Sequence, residues 1–173
     1  MSLNIRRVVT GHDEQGRAKV LIDEQVKNVF SQRPGAHYSV IWSSEGFPID
    51  NDGDADPSGK KIGTTVPNGT AFRVVSFGPG VSPRNHRTDS IDYAIIMSGE
   101  IDMEMDGAMI HLKAGDVLVQ RGTIHNRINT GSRTGGDGGR AHAGKRGTAG
   151  GRDRDGGGGR RHRDATGTRR RGR

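Results

Sequence analysis

Residues 83–99 read PRNHRTDSIDYAIIMSG, and this stretch decides the fold. His86, Thr88, Ser90 and Asp92 fall on every second position. Alternate side chains of a β-strand point to one face, so a histidine, two hydroxyls and a carboxylate would share one wall. The run passes through Tyr93, Ala94, Ile95, Ile96 and Met97 before Gly99 supplies a bend.

Outward from this strand the same grammar repeats. RRVVTG and AKVLIDE flank the loop HDEQGR as a hairpin, and QVKNVFSQ reads as a strand or a helical turn. HYSVIWSS alternates, and TAFRVVSF closes on GPG. In EIDMEM the side chains of Ile101, Met103 and Met105 alternate with Glu100, Asp102 and Glu104, and Asp106-Gly107 is a type I′ turn signal. AMIHLKAG, DVLVQRG and TIHNRIN complete the series. No segment keeps a helical period through three turns, so the expectation is an all-β sandwich or barrel.

The chain has 173 residues and no cysteine, which excludes disulfide scaffolds, zinc–thiolate sites and cysteine catalysis. Its start lacks the apolar core of a signal peptide, and no apolar run approaches membrane-spanning length. A cytoplasmic protein without membrane association is expected. The net charge of +7 averages two unlike parts. Residues 130–173 hold 13 Lys+Arg against 4 Asp and 15 of the 29 glycines, with no Val, Ile, Leu, Met, Phe, Tyr or Trp. Such a segment has nothing with which to build a core, and disorder is expected. The body, residues 1–129, is weakly acidic and gives no reason to expect nucleic acid.

Two spaced motifs carry a family resemblance. Gly80 is followed after five residues by His86-Arg87-Thr88, then after three by Asp92, then after six by Gly99. Further on, Gly115 leads to Gln120-Arg121-Gly122, His125 and Asn129. The order and distances resemble the two motifs of the cupins, the RmlC-like small β-barrels, in particular the small single-domain bacterial members. The departures are Thr88 for the usual second histidine, Asp92 for the usual glutamate and Gln120 for the usual proline. The resemblance implies a jelly-roll barrel with a polar pocket. It divides the chain into N-terminal strands packing on the barrel (1–65), a barrel core (66–129) and a basic tail (130–173).

By position, the family's metal ligands fall on His86, Asp92 and His125, with Thr88 at the fourth place. Two imidazoles and a carboxylate suit a divalent first-row ion, Fe, Mn, Ni or Zn. The other reading is that His86, Thr88, Ser90 and Asp92 form a hydrogen-bonded polar cluster without metal, since buried polar groups need partners whatever their function. Both stand at this point. His86 and His125 are the candidate catalytic bases. Arg84, Tyr93 and Arg127, with Arg87, are candidates to orient an anionic small molecule. The resemblance implies a binder of a small polar or anionic molecule, either a metal-dependent dioxygenase, isomerase or decarboxylase or a non-catalytic binding cupin. A homodimer through the N-terminal strands is expected.

Other features read more plainly. DNDGDAD at 50–56 fails the calcium-loop pattern, because Ala55 and Lys61 stand where glycine and glutamate are needed, and it reads as a solvated acidic loop. Trp42 reads as core or dimer interface, His37 and His111 as exposed, and Met97, Met103, Met105 and Met109 as barrel packing. The charge of the tail leaves nucleic-acid binding as a further alternative, against which stands its lack of Arg-Gly-Gly triplets and stacking aromatics. A reading-frame shift near Ser132 accounts for its composition, since GC-rich codons read out of frame give Gly, Arg, Ala, Thr, Asp and His. A barrel ended there would lack its last strand and leave two sheet edges open.

Overall fold

A computed structural model describes residues 4–131, 141–149 and 154–155. It is all-β. The chain opens with an antiparallel ribbon of β1 (Arg6–His12) and β2 (Ala18–Gln25). The hairpin β3 (Val29–Arg33) and β4 (Ala36–Glu45) follows. A long loop containing one 3₁₀ turn, Pro57–Gly59, leads to β5 (Gly69–Phe77). Then come β6 (His86–Arg87), β7 (Ser90–Ser98), β8 (Glu100–Met105), β9 (Ala108–Lys113), β10 (Val117–Arg121) and β11 (Asn126–Ile128). The tail contributes backbone at β12 (Ala141–Ala149) and β13 (Arg154–Asp155). The rest of the segment expected to be disordered lies outside the described residues.

Six strands form one sheet in the order β10-β7-β12-β5-β4-β3, and β11-β8-β9 form a second. The two face each other in a jelly-roll barrel. The core between them is Ala36, Phe77, Val81, Ala94, Ile96, Ile101 and Leu112, drawn from both sheets. Strand β7 explains how core and site share one barrel. Its inward positions are Ser90, Asp92, Ala94 and Ile96, all buried, so the wall is polar toward one end and apolar toward the other. Its outward positions, Ile91, Tyr93, Ile95 and Met97, are exposed, and Val119 and Val117 of β10 stand opposite Tyr93 and Ile95. The barrel therefore carries an apolar outer face. Met97 and Met109 are exposed rather than packed, whereas Met103 is a core residue, 1% exposed.

The expected gap after the second motif is closed. Strand β12 lies between β7 and β5, paired from His142↔Ser98 to Ala149↔Ser90 on one side and at Ala141↔Phe77 on the other. Ladder hydrogen bonds join peptide groups and need no large apolar side chain, so a segment without Val, Ile, Leu, Met, Phe, Tyr or Trp can occupy the position. Strands β3 and β4 extend the main sheet through the β4–β5 pairing.

Arg7 ties the N-terminal ribbon to this body. Its guanidinium donates to Asp56 at 2.6 and 3.0 Å, to Glu24 at 2.5 Å and to the Ile41 carbonyl at 3.3 Å. Asp56 also caps the 3₁₀ turn by accepting from the Ser58 amide. The acidic loop is thus partly a structural anchor, which its composition did not reveal. The Arg7 hydrogen bonds pull the Asp56 carboxyl down to about 2.

Candidate functional site

The two motif histidines meet across the barrel. His86 and His125 form an isolated antiparallel bridge, with amide-to-carbonyl distances of 3.1 and 2.9 Å. Their rings lie 4.5 Å apart, tilted by 48°. Each Nδ1 faces a backbone carbonyl, Arg84 for His86 at 3.2 Å and Thr123 for His125 at 3.0 Å. A carbonyl only accepts, so each Nδ1 carries the proton, and in the neutral rings the lone pair sits on Nε2.

A chain of buried polar groups runs beside the pair. Ser90 Oγ donates to Asp92 Oδ1 at 3.0 Å, so the 2.7 Å contact between Thr88 and Ser90 has Thr88 as donor. Gln120 Nε2 donates to Asp92 Oδ2 at 3.4 Å. Arg127 closes the chain, donating from Nη2 to Gln120 Oε1 at 3.1 Å and from Nη1 to His125 Nε2 at 2.9 Å. Thr88, Asp92, Gln120 and His125 are at most 2% exposed. Gly122 makes this geometry reachable. Its φ is +63°, and a Cβ there would lie 2.8 Å from the Thr88 carbonyl oxygen.

A cavity of about 90 Å³ adjoins the network. Among the described residues, four arginines, Arg33, Arg73, Arg84 and Arg127, contribute to its lining together with His86, His37, Tyr38 and Phe77, and no Asp or Glu does. Arg33 and Arg127 flank the Phe77 ring at 5.9 and 5.8 Å, and Arg73 lies over Tyr38 at 5.3 Å. Arg73 also donates to the Gly63 carbonyl. Burial and the charge of Arg84 pull Arg33 below the ordinary arginine range. Arg127 falls to about 10 through loss of hydration, with Asp92 opposing and Arg33 assisting the fall, and it stays charged at neutral pH. Nη1 of Arg33 is buried and has no hydrogen-bond partner among the described residues.

Of the residues expected to orient an anion, Arg84 and Arg127 line the cavity. Tyr93 lies on the outer face of β7, 49% exposed, and Arg87, on β6, is exposed as well. The sequence reading missed Arg33 and Arg73 and placed His37 outside. Arg73 had a signal, since it shares the i, i+2 register of Ala71, Val75 and Phe77, an apolar face where a charge calls for explanation.

The residues expected to hold a metal do not fit one as arranged. Nε2 of His125, the ring atom with a lone pair, faces Arg127. Both Asp92 oxygens already accept hydrogen bonds, and Thr88 is engaged by Ser90. Among the described residues, no three His, Asp or Glu are placed to share an ion. Among the same residues, no helix is long and apolar enough to cross a membrane.

No family model matches the chain. It is 33% identical over 135 residues to phomopsin biosynthesis cluster protein C' of Diaporthe leptostromiformis, covering 72% of this chain and 71% of that protein. It is 32% identical over 130 residues to the cupin-domain-containing oxidoreductase fogC of Aspergillus ruber, covering 71% of this chain and 63% of the relative. Identity is also 32% over 130 residues to the cupin-domain-containing oxidoreductase srdD of Neurospora crassa, covering 72% of this chain and 66% of the relative. The polyketide cyclase RemF of Streptomyces resistomycificus is similar at 13% identity and a TM-score of 0.49, over 80% of this chain and 89% of that one, a likeness too weak to argue from. The three relatives are fungal, so they lend no support to the expected bacterial grouping. Two motifs in register, an all-β barrel and these relatives agree that the chain belongs to the cupin superfamily.

Proposed function

We propose that the protein is an enzyme that binds a small carboxylate-bearing molecule in the barrel cavity, with His86 as its acid–base group. The observation that carries this reading is the lining itself, four arginines and, among the described residues, no acidic one. Cations taken out of water need a counter-charge, and an anionic ligand supplies one. The cavity volume sets the scale. A cavity of roughly 150 Å³ holds a benzene ring, so one of about 90 Å³ takes a carboxylate head group and leaves the rest of a larger molecule at the mouth. His86 lines the same cavity, with Nδ1 facing the Arg84 carbonyl, and an imidazole at that place is the lining group suited to move a proton near neutral pH. The relatives named as oxidoreductases and biosynthesis-cluster proteins support an enzyme working on a small biosynthetic intermediate.

Calorimetric titration with acetate, malonate and benzoate tests the binding half. Saturable binding that weakens about tenfold or more in Arg33→Met and Arg84→Met is expected. Binding unchanged in the double variant would overturn it. Turnover lost by about a hundredfold in His86→Gln, with binding kept, would assign the acid–base role. Binding with no turnover on any carboxylate of a biosynthetic panel would leave a binding module.

A further inference from the structure

The three positions at which this chain departs from the cupin motifs belong to one hydrogen-bonded network. Thr88, at the second-histidine position, donates to Ser90, and Ser90 donates to Asp92. Asp92, one methylene shorter than glutamate, leaves room for the Gln120 amide at its second oxygen. Gln120, at the proline position, carries an amide, which donates to the carboxylate through its NH₂ and accepts from the guanidinium through its carbonyl oxygen. Arg127 uses that acceptor and also covers Nε2 of His125. Each departure removes a metal ligand or builds the bridge that holds Arg127.

We propose that this barrel works without a bound metal, and that the Arg127 guanidinium is its resident central cation. The geometry gives the reason. Nδ1 of His125 is committed to the Thr123 carbonyl, so Nε2 is the atom an ion would need, and Arg127 stands 2.9 Å from it. A divalent ion brought there meets a like charge at contact distance. The electrostatic design closes without one, because the buried Asp92 carboxylate is linked to the buried end of Arg127 through Gln120, a neutral relay. A guanidinium also supplies what an ion gives an anionic ligand, a fixed positive charge, with directed donors in place of open coordination positions. This inference rests on the carboxylate-binding reading only for what Arg127 does to a ligand; the absence of a metal stands apart from it.

The test uses the full chain, expressed in medium supplemented with Fe, Mn, Ni and Zn and analysed by mass spectrometry for bound metal. Less than about 0.1 ion per chain is expected at the barrel site. Titration with Ni²⁺ should show no binding that His125→Ala removes. Ions held by other residues, such as tail histidines, survive that substitution and leave the proposal standing. Arg127→Gln uncovers Nε2 of His125 and should raise Ni²⁺ affinity by about tenfold or more, with circular dichroism confirming the fold. One ion per chain in the wild type, lost in both His86→Ala and His125→Ala, would overturn the proposal. That result would leave carboxylate binding intact, whereas a metal-free protein that binds no carboxylate would sink only the ligand reading.

Discussion

His86 and His125 exchange both of their backbone hydrogen bonds, at 3.1 and 2.9 Å, so the two motifs are joined by main chain before any side chain acts. The rings can then be removed without opening the bridge. This separates chemistry from closure in a way that ring-to-ring contact alone would not.

The relay through Gln120 should be strongly stabilising in place and costly to break. Gln120→Leu keeps the volume but leaves Asp92 Oδ2 and Arg127 Nη2 without this partner. A loss of about 2 kcal/mol is expected, read as a lower urea midpoint at unchanged slope. A neutral result would mean water replaces the amide and the relay is dispensable.

Asp56 should make stability fall on the acid side. Its carboxyl is held at about 2, below the ordinary 3.8, first by the Arg7 hydrogen bonds. A depressed folded value means the contribution is complete above pH 4 and is lost as pH falls from about 4 toward 2. Asp56 is 36% exposed at the side chain, which cuts the effect to the order of 1 kcal/mol. In Asp56→Asn, urea unfolding at stepped pH should show lower stability at neutral pH and a flatter profile between pH 4 and 2.

Gly122 should resist substitution. Alanine there meets the Thr88 carbonyl at 2.8 Å with φ at +63°. Gly122→Ala is expected to cost about 1–3 kcal/mol and to disturb the Thr88–Ser90 contact. A melting temperature equal to the wild type would show that the β10 end shifts freely.

The apolar outer face should govern solubility rather than stability. Ile95 and Val117 stand opposite each other, 53% and 73% exposed. The pair Ile95→Lys with Val117→Glu places opposite charges across two strands, and unfolding free energy should move by less than about 0.5 kcal/mol. Aggregation on heating and binding of a hydrophobic dye should both drop. A large loss of stability would show that this face is covered in the native protein.

Most of the barrel was legible because a two-residue period survives in nearly every strand, from EIDMEM to the polar-then-apolar wall of β7. His86 and His125 were legible because spacing fixes which positions face inward. Arg33 was not, because what makes it a site residue is convergence of β3 with β5, which local pattern does not encode, whereas the register of Arg73 marked it as an inward charge without saying what it would meet. Tyr93 was misjudged for a simple reason. It sits between two inward positions, Asp92 and Ala94, and parity sends it outward. Asp56 was read as solvated because its partner Arg7 lies 49 residues away in sequence.

Strand β12 leaves the barrel with a wall of unusual chemistry. Its place between β7 and β5 is set by backbone pairing, and its sequence, AHAGKRGTA, holds no Val, Ile, Leu, Met, Phe, Tyr or Trp. The vulnerabilities of an ordinary core strand are therefore inverted along it. A proline there, which deletes an amide donor, strikes at the ladder itself, whereas a large apolar side chain is not what the sequence supplies.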